Sequence, residues 1–180
     1  MPRTRAKNAI ALLTADHKAV KTLFRQYQKL MSQDAADDDK GAIAELICNE
    51  LTVHAQVEEE IFYPAARAAI DDDDLLDEAQ VEHSTAKDLI AQLKSMEPGD
   101  TLYDAKVTVL GEYIDHHVKE EEEEMFPKVR KANLDLVELG SSLAQRKEEL
   151  KADSGITEAR GAIPPPRKNS SRTSAARAWR

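Results

Sequence analysis

The sequence predicts an all-α protein, an up-down-up-down antiparallel four-helix bundle with a short fifth helix and a disordered C-terminal tail. Three observations lead there. Only six Gly and seven Pro occur in 180 residues, beside 33% charged residues, a balance that suits long helices. Aromatic residues make up 4%, too few for an aromatic-rich β core. Apolar residues recur at gaps of three and four along four successive segments, which is the helical period.

Each element follows from its own stripe. The first helix, roughly 8–32, carries Ile10, Leu13, His17, Val20, Phe24, Tyr27 and Met31. The polar, acidic stretch from Gln33 to Asp39 ends it. The second, roughly 40–69, carries Ile43, Leu46 or Ile47, Leu51, His54, Glu58, Ile61 and Ala65, and stops at Asp71-Asp72-Asp73-Asp74. The third, roughly 75–96, carries Leu76, Ala79, His83, Ala86, Ile90, Leu93 and Met96. Pro98-Gly99-Asp100-Thr101 breaks the chain and offers a cap for a fourth helix, roughly 101–131, with Tyr103, Val107, Leu110, Ile114, His117, Glu121 and Met125. A fifth helix, about 134–151, carries Leu136, Leu139, Leu143 and Leu150, with Gly140-Ser141-Ser142 weakening its middle. The expected domains are a bundle over 8–132, an additional helix over 133–152 and a basic tail over 153–180. The tail is rich in Pro, Ser, Ala and Arg with almost no apolar content, hence the expectation of disorder.

Charge narrows the function. The formal net charge is −9. Residues 151–180 hold seven bases and two acids, a net +5, which leaves −14 on residues 1–150. That balance argues against a nucleic-acid partner bound through a general basic field. The single cysteine, Cys48, forms no intramolecular disulfide and leaves nothing for a thiolate zinc cluster. It is expected to be an ordinary helix-packing residue. The apolar run after the basic N-terminus is too short for a signal peptide, and no run of about 18 apolar residues spans a membrane. The expected location is the cytoplasm.

Every stripe contains one histidine, and an internal repeat explains why. Residues 54–69 read HAQVEEEIFYPAARAA and residues 117–132 read HVKEEEEEMFPKVRKA, with seven identities in sixteen positions. Asp16-His17 and Lys21, Leu23 and Gln26 likewise parallel Glu82-His83 and Lys87, Leu89 and Gln92. The chain therefore carries one unit twice: a histidine on one helix, then His-x-x-x-Glu on the next. Positions i and i+4 lie about 40° apart around a helix and about 6 Å apart along it, so an imidazole and a carboxylate converge on a metal beside the helix. His17 and His54, and likewise His83 and His117, lie at near-equal distances from the turns joining their helices, which puts each pair at one height. A lone histidine on an apolar stripe is ordinarily a core residue. Four imidazoles and two carboxylates buried together are costly without a cation. Mixed imidazole and carboxylate donors suit iron, with manganese or zinc possible. The alignment of Pro64 with Pro127 selects His117 rather than His116, which shares its side with Glu112, Lys119 and Glu123. Glu59, Glu60, Glu122 and Glu123 are expected at the surface, the alternative being that one of them stands behind a ligand.

Asp16-His17, His54-x-x-x-Glu58-Glu59 with Pro64, Glu82-His83, and His117-x-x-x-Glu121-Glu122 with Pro127 resemble the hemerythrin-like, or HHE cation-binding, family over about residues 10–132. The resemblance implies a carboxylate-bridged non-haem di-iron centre, two iron ions per chain, with His17, His54, Glu58, His83, His117 and Glu121 as metal ligands. Oxygen-carrying hemerythrins have a fifth histidine one turn from the third-helix histidine. Here those positions are Ala79 and Lys87. The implied function is therefore sensing, buffering or reacting with iron, dioxygen or peroxide. The alternatives are a di-iron enzyme with catalase-like peroxide breakdown or ferroxidase activity, a reversible oxygen carrier, and a metal-free helical module.

Overall fold

The computed structural model describes residues 8–153, and all its regular structure is helical. Helix α1 spans Ala9–Ser32, and its first turn is capped by Asn8, whose side chain accepts the Ala11 N–H at 2.8 Å. Helix α2 (Asp37–Val57) runs through a π-helical turn (Glu58–Phe62) into α3 (Tyr63–Ala69). Helix α4 spans Asp73–Lys94. Helix α5 (Tyr103–Glu120) runs through a second π turn (Glu121–Met125) into α6 (Phe126–Lys131), and α7 spans Leu136–Asp153. Helix α1 packs on α2 and α5, α2 packs on α4, and α4 packs on α5, which closes a four-rod ring. Helix α7 lies along α1 and α2 and against the first π turn, with Leu143 and Leu150 buried.

The six histidine and glutamate positions form a layer that divides the core. On one side lie Leu13, Val57, Phe62, Leu76, Phe126 and Leu143, with their neighbours. On the other lie Val20, Ile47, Leu51, Ile90, Leu110 and Ile114. Cys48 belongs to this second cluster, and burial pushes its thiol up to about 11. A polar layer between two apolar clusters fixes the register of all four rods, because sliding any rod takes its histidine into hydrocarbon.

Four local expectations are corrected. The fourth rod does not begin at a Thr101 cap. It begins after Leu102, which sits in the left-handed region at φ 72°, beyond a turn whose Gly99 has φ 101°. At that φ the loop favours glycine for its conformation, while the nearby Asp37 carboxylate is the far end of an exposed side chain that can move aside. The second correction concerns the two long helices, which are not uniformly α. Each widens into a π turn that starts at a motif glutamate and ends one residue before the bracket of Tyr63-Pro64 or Phe126-Pro127. The Tyr63 N–H bonds the Glu58 carbonyl and the Phe126 N–H bonds the Glu121 carbonyl, both i to i+5. Pro64 and Pro127 lack an N–H and would crowd an α ladder, and the wider turn accommodates them. The third correction follows from the second. The apolar stripe after Glu58 shifts by one residue, from the expected Ile61 and Ala65 to the fully buried Phe62 and Ala66. Helix α7 starts two residues later than expected, where Asp135 accepts the N–H groups of Val137 and Glu138. The tail expected over 153–180 lies, from 154 onward, outside the described residues.

Candidate metal centre

Helix α1 contributes His17, α2 His54, α4 His83 and α5 His117, while Glu58 and Glu121 each open a π turn. All six side chains are buried, Glu58 completely and Glu121 to within 1%. His17 Nε2 lies 3.2 Å from His54 Nε2 and 3.2 Å from Glu121 Oε2, and His54 Nε2 lies 3.2 Å from Glu58 Oε2. Across the layer, His83 Nε2 lies 3.1 Å from His117 Nε2 and 3.5 Å from Glu58 Oε2, and His117 Nε2 lies 3.6 Å from Glu121 Oε2. Two overlapping groups result: His17, His54, Glu58 and Glu121, and then Glu58, His83 and His117. Glu58 belongs to both, and Glu121 Oε2 faces a histidine of each pair.

These spacings fit metal ligation. A first-row divalent cation holds nitrogen and oxygen donors at about 2.0–2.2 Å, which places neighbouring donors about 3–3.5 Å apart. Both oxygens of Glu58, Glu121 Oε2 and His54 Nδ1 are buried without a hydrogen-bond partner among the described residues. Buried carboxylate oxygens are seldom left so. Burial, and then the neighbouring Glu121, hold the Glu58 carboxyl well above the usual carboxylate range. Burial would also raise Glu121, but His117, His17 and His54 around it hold it below that range. Burial drives His54 down to about 4 and lowers His83. For His117 the same burial is outweighed by Glu121 and Glu82, which raise it. Two neutral imidazoles and a carboxyl that resists ionisation fit a site for a cation, whose positive charge favours deprotonated donors.

Behind each histidine stands another acid. His17 Nδ1 meets Glu122 Oε1 at 2.9 Å, His83 Nδ1 meets Glu59 Oε1 at 3.0 Å, and His117 Nδ1 meets Glu82 Oε2 at 2.8 Å. The fourth contact, His54 Nδ1 to Asp16 Oδ2, is looser at 3.7 Å. A carboxylate on Nδ1 fixes the proton there and turns Nε2 inward as an acceptor. The sequence allows one of these acids behind a ligand; two are there, and Glu59 and Glu122, both still part-exposed, each reach back across the bundle to the first histidine of the other repeat. The His83 contact, with Lys87 beside it, holds Glu59 at about 2. Glu60 does face outward, paired with Arg146 of α7.

Sequence reasoning missed Tyr63. Its hydroxyl donates to Glu121 Oε1 at 2.9 Å and lies 3.2 Å from His83 Nε2. Burial, then Glu121 and Glu58, push the phenol up, so it keeps its proton. In the repeat Tyr63 matches Phe126, whose ring stacks on His17 at 5.8 Å. An α-helix places residue i+5 about 140° around from residue i. The i to i+5 turn returns Tyr63 and Phe126 to the face of Glu58 and Glu121. The unequal Tyr/Phe pair was the available signal. Of the two positions for a fifth histidine, Ala79 is buried and Lys87 is engaged by Glu59 at 2.7 Å. On the other side of the histidines lies a cavity of about 20 Å³, lined by Val20, Leu51, Ala86, Ile90, Ile114 and Val118 as well as the imidazoles. That is room for one water-sized molecule.

A family model, the hemerythrin HHE cation binding domain, matches residues 8–129. The chain belongs to the hemerythrin HHE cation-binding family. A crystal structure of a hemerythrin HHE cation binding domain-containing protein from Mycobacterium kansasii is similar to it at 25% identity and a TM-score of 0.69, covering 87% of this chain and 97% of that one. A DNA nickase of Nostoc sp. (strain PCC 7120) is 29% identical over 119 residues, 66% of this chain and 32% of that protein, so the match spans about a third of the curated relative's length. In this HHE chain the two His/Glu groups are candidate metal-binding sites.

Proposed function

We propose that the centre holds two iron ions bridged by Glu58 and Glu121, terminated by His17 and His54 on one side and by His83 and His117 on the other, and that the protein senses, buffers or reacts with oxygen, peroxide or iron itself. The observation that carries this reading is the sharing of Glu58 between the two groups, with both its buried oxygens unpartnered. Iron held by these residues would supply one-electron redox chemistry toward a small oxidant. The chain's own residues set the terms. Asp16, Glu59, Glu82 and Glu122 orient the imidazoles, and Tyr63 donates a hydrogen bond to Glu121 Oε1. The apolar cavity keeps bulk water from the histidines while admitting one small molecule. Manganese and zinc suit the same donors, and the metal content of protein purified under each condition distinguishes them.

The even division of histidines, two per group with no fifth, weighs against reversible oxygen carriage. The test is to mix anaerobic, reduced, iron-loaded protein with oxygenated buffer and follow its spectrum. The expected result is one-way conversion to the ferric form. A spectrum that returns fully to that of the reduced protein under argon overturns this and makes the chain an oxygen carrier. A second reading, peroxide breakdown, is favoured by one residue: the Tyr63 hydroxyl is a retained proton beside His83 where the other repeat has Phe126. Peroxide consumed per iron, compared between wild type and Tyr63→Phe, checks it, and equal rates count against it.

A further inference from the structure

A third group of metal-binding side chains lies outside the buried centre. Glu82 on α4 and His116 and Glu120 on α5 place one ligand atom each within 4.8 Å of the other two. His116 Nε2 lies 3.2 Å from Glu120 Oε1 and 3.5 Å from Glu82 Oε1. We propose that these three residues form a separate, solvent-facing site for one first-row divalent cation.

The two His116 distances fit donors around a single small cation held at about 2.0–2.2 Å per bond, and the two carboxylates lie within 4.8 Å of each other. One imidazole and two carboxylates suit zinc, manganese or ferrous iron. His116 and Glu120 repeat, one residue out of register, the i, i+4 pattern of His117 and Glu121. His116 is 61% exposed, so water can fill the remaining positions.

The internal repeat supplies an independent argument. The counterpart of Glu82 is Asp16, and those of His116 and Glu120 are Val53 and Val57. In the first repeat, Val53 and Val57 are buried in the cluster that includes α7, and the α7 side chain Lys147 pairs with Asp16. In the second repeat, among the described residues, no helix covers the equivalent face and Glu82 pairs with no lysine or arginine. Two polar donors stand where the first repeat has valines. Asp16 and Glu82 do the same work, one behind His54 and the other behind His117. Asp16 receives its positive charge from Lys147, and a bound cation supplies the same charge to Glu82. One Glu82 oxygen faces the surface site while the other takes the His117 Nδ1 proton at 2.8 Å, so occupancy outside bears directly on a histidine inside.

The test is a zinc titration of the full-length, iron-loaded protein, with iron and zinc both counted after dialysis. Wild type is expected to take up one zinc per chain without losing iron. His116→Ala and Glu120→Gln are expected to bind it at least about tenfold more weakly, as loss of a ligand costs no less than loss of a ligand's outer partner. His116 is exposed, so its replacement leaves the bundle intact, which circular dichroism checks. Equal zinc uptake by wild type and His116→Ala overturns the proposal. So does zinc uptake matched by iron loss, which places the zinc in the buried centre. The site does not rest on the di-iron reading: if the protein holds no iron, the difference between wild type and His116→Ala still decides it.

Discussion

Glu58 has no exposed surface, and neither of its oxygens has a hydrogen-bond partner among the described residues. Leaving an ionised carboxylate in that state costs several kcal/mol, so the residue is either protonated or bound to a cation. Glu58→Ala removes a donor shared by both groups. It is expected to cut iron content from about two ions per chain to one or fewer, the behaviour of a bridging carboxylate in a bundle-core di-metal site. Metal analysis checks this, and unchanged loading would sink the bridging role. The six inward residues were legible because the repeat marked them twice. The acids behind them were not, since an acidic run such as Glu120 to Glu124 also reads as a solvated face. Only the antiparallel packing of the two repeats shows that Glu59 serves His83 and that Glu122 serves His17.

At the scale of elements, hydrophobic period identified all five rods but not their irregularity. The 3.6-residue repeat has no means of marking a π turn, and a proline after an acidic run was evidence of a match between repeats rather than of a wider helix. The consequence fell on Tyr63, which the α period turns away from the site and the π turn brings onto it. Helix α7 was visible from its leucines, yet its contact with the centre was not: Lys147 pairs with Asp16, and Arg146 with Glu60. The Arg146–Glu60 pair is part-exposed and contributes little by itself, while the Lys147–Asp16 pair is largely buried. The buried leucines carry the docking. Leu143→Ala is expected to destabilise the protein by about 2–5 kcal/mol in urea unfolding, because Leu143 is fully buried between α7 and the bundle. A loss below about 1 kcal/mol would mean α7 packs loosely and collapses around the gap.

For the whole molecule, the centre links stability to metal and to pH with opposite signs. In metal-free protein the Glu58 carboxyl titrates well above its ordinary range, burial being the main cause. The folded state then binds more protons than the unfolded one, so this contribution is present below the unfolded value and is lost as pH rises through the folded one. Glu58→Gln removes it. Metal-free Glu58→Gln is therefore expected to be more stable than metal-free wild type at pH about 8, with the gap closing as pH falls toward the ordinary carboxylate range. Chemical unfolding of both proteins across that window checks it, and a gap independent of pH contradicts it. His54, driven by burial to about 4, acts in the other direction and costs both proteins stability below the ordinary histidine value. With metal bound, acid only harms, because protons compete for the imidazoles and carboxylates. The metal-bound behaviour rests on two metal positions sharing one pair of carboxylates. The most direct test is the iron content of the ferric protein measured together with its magnetism. Two irons per chain, coupled through their bridges and silent in electron paramagnetic resonance, is the expected result. One iron per chain with the signal of an isolated ferric ion would contradict a bridged centre.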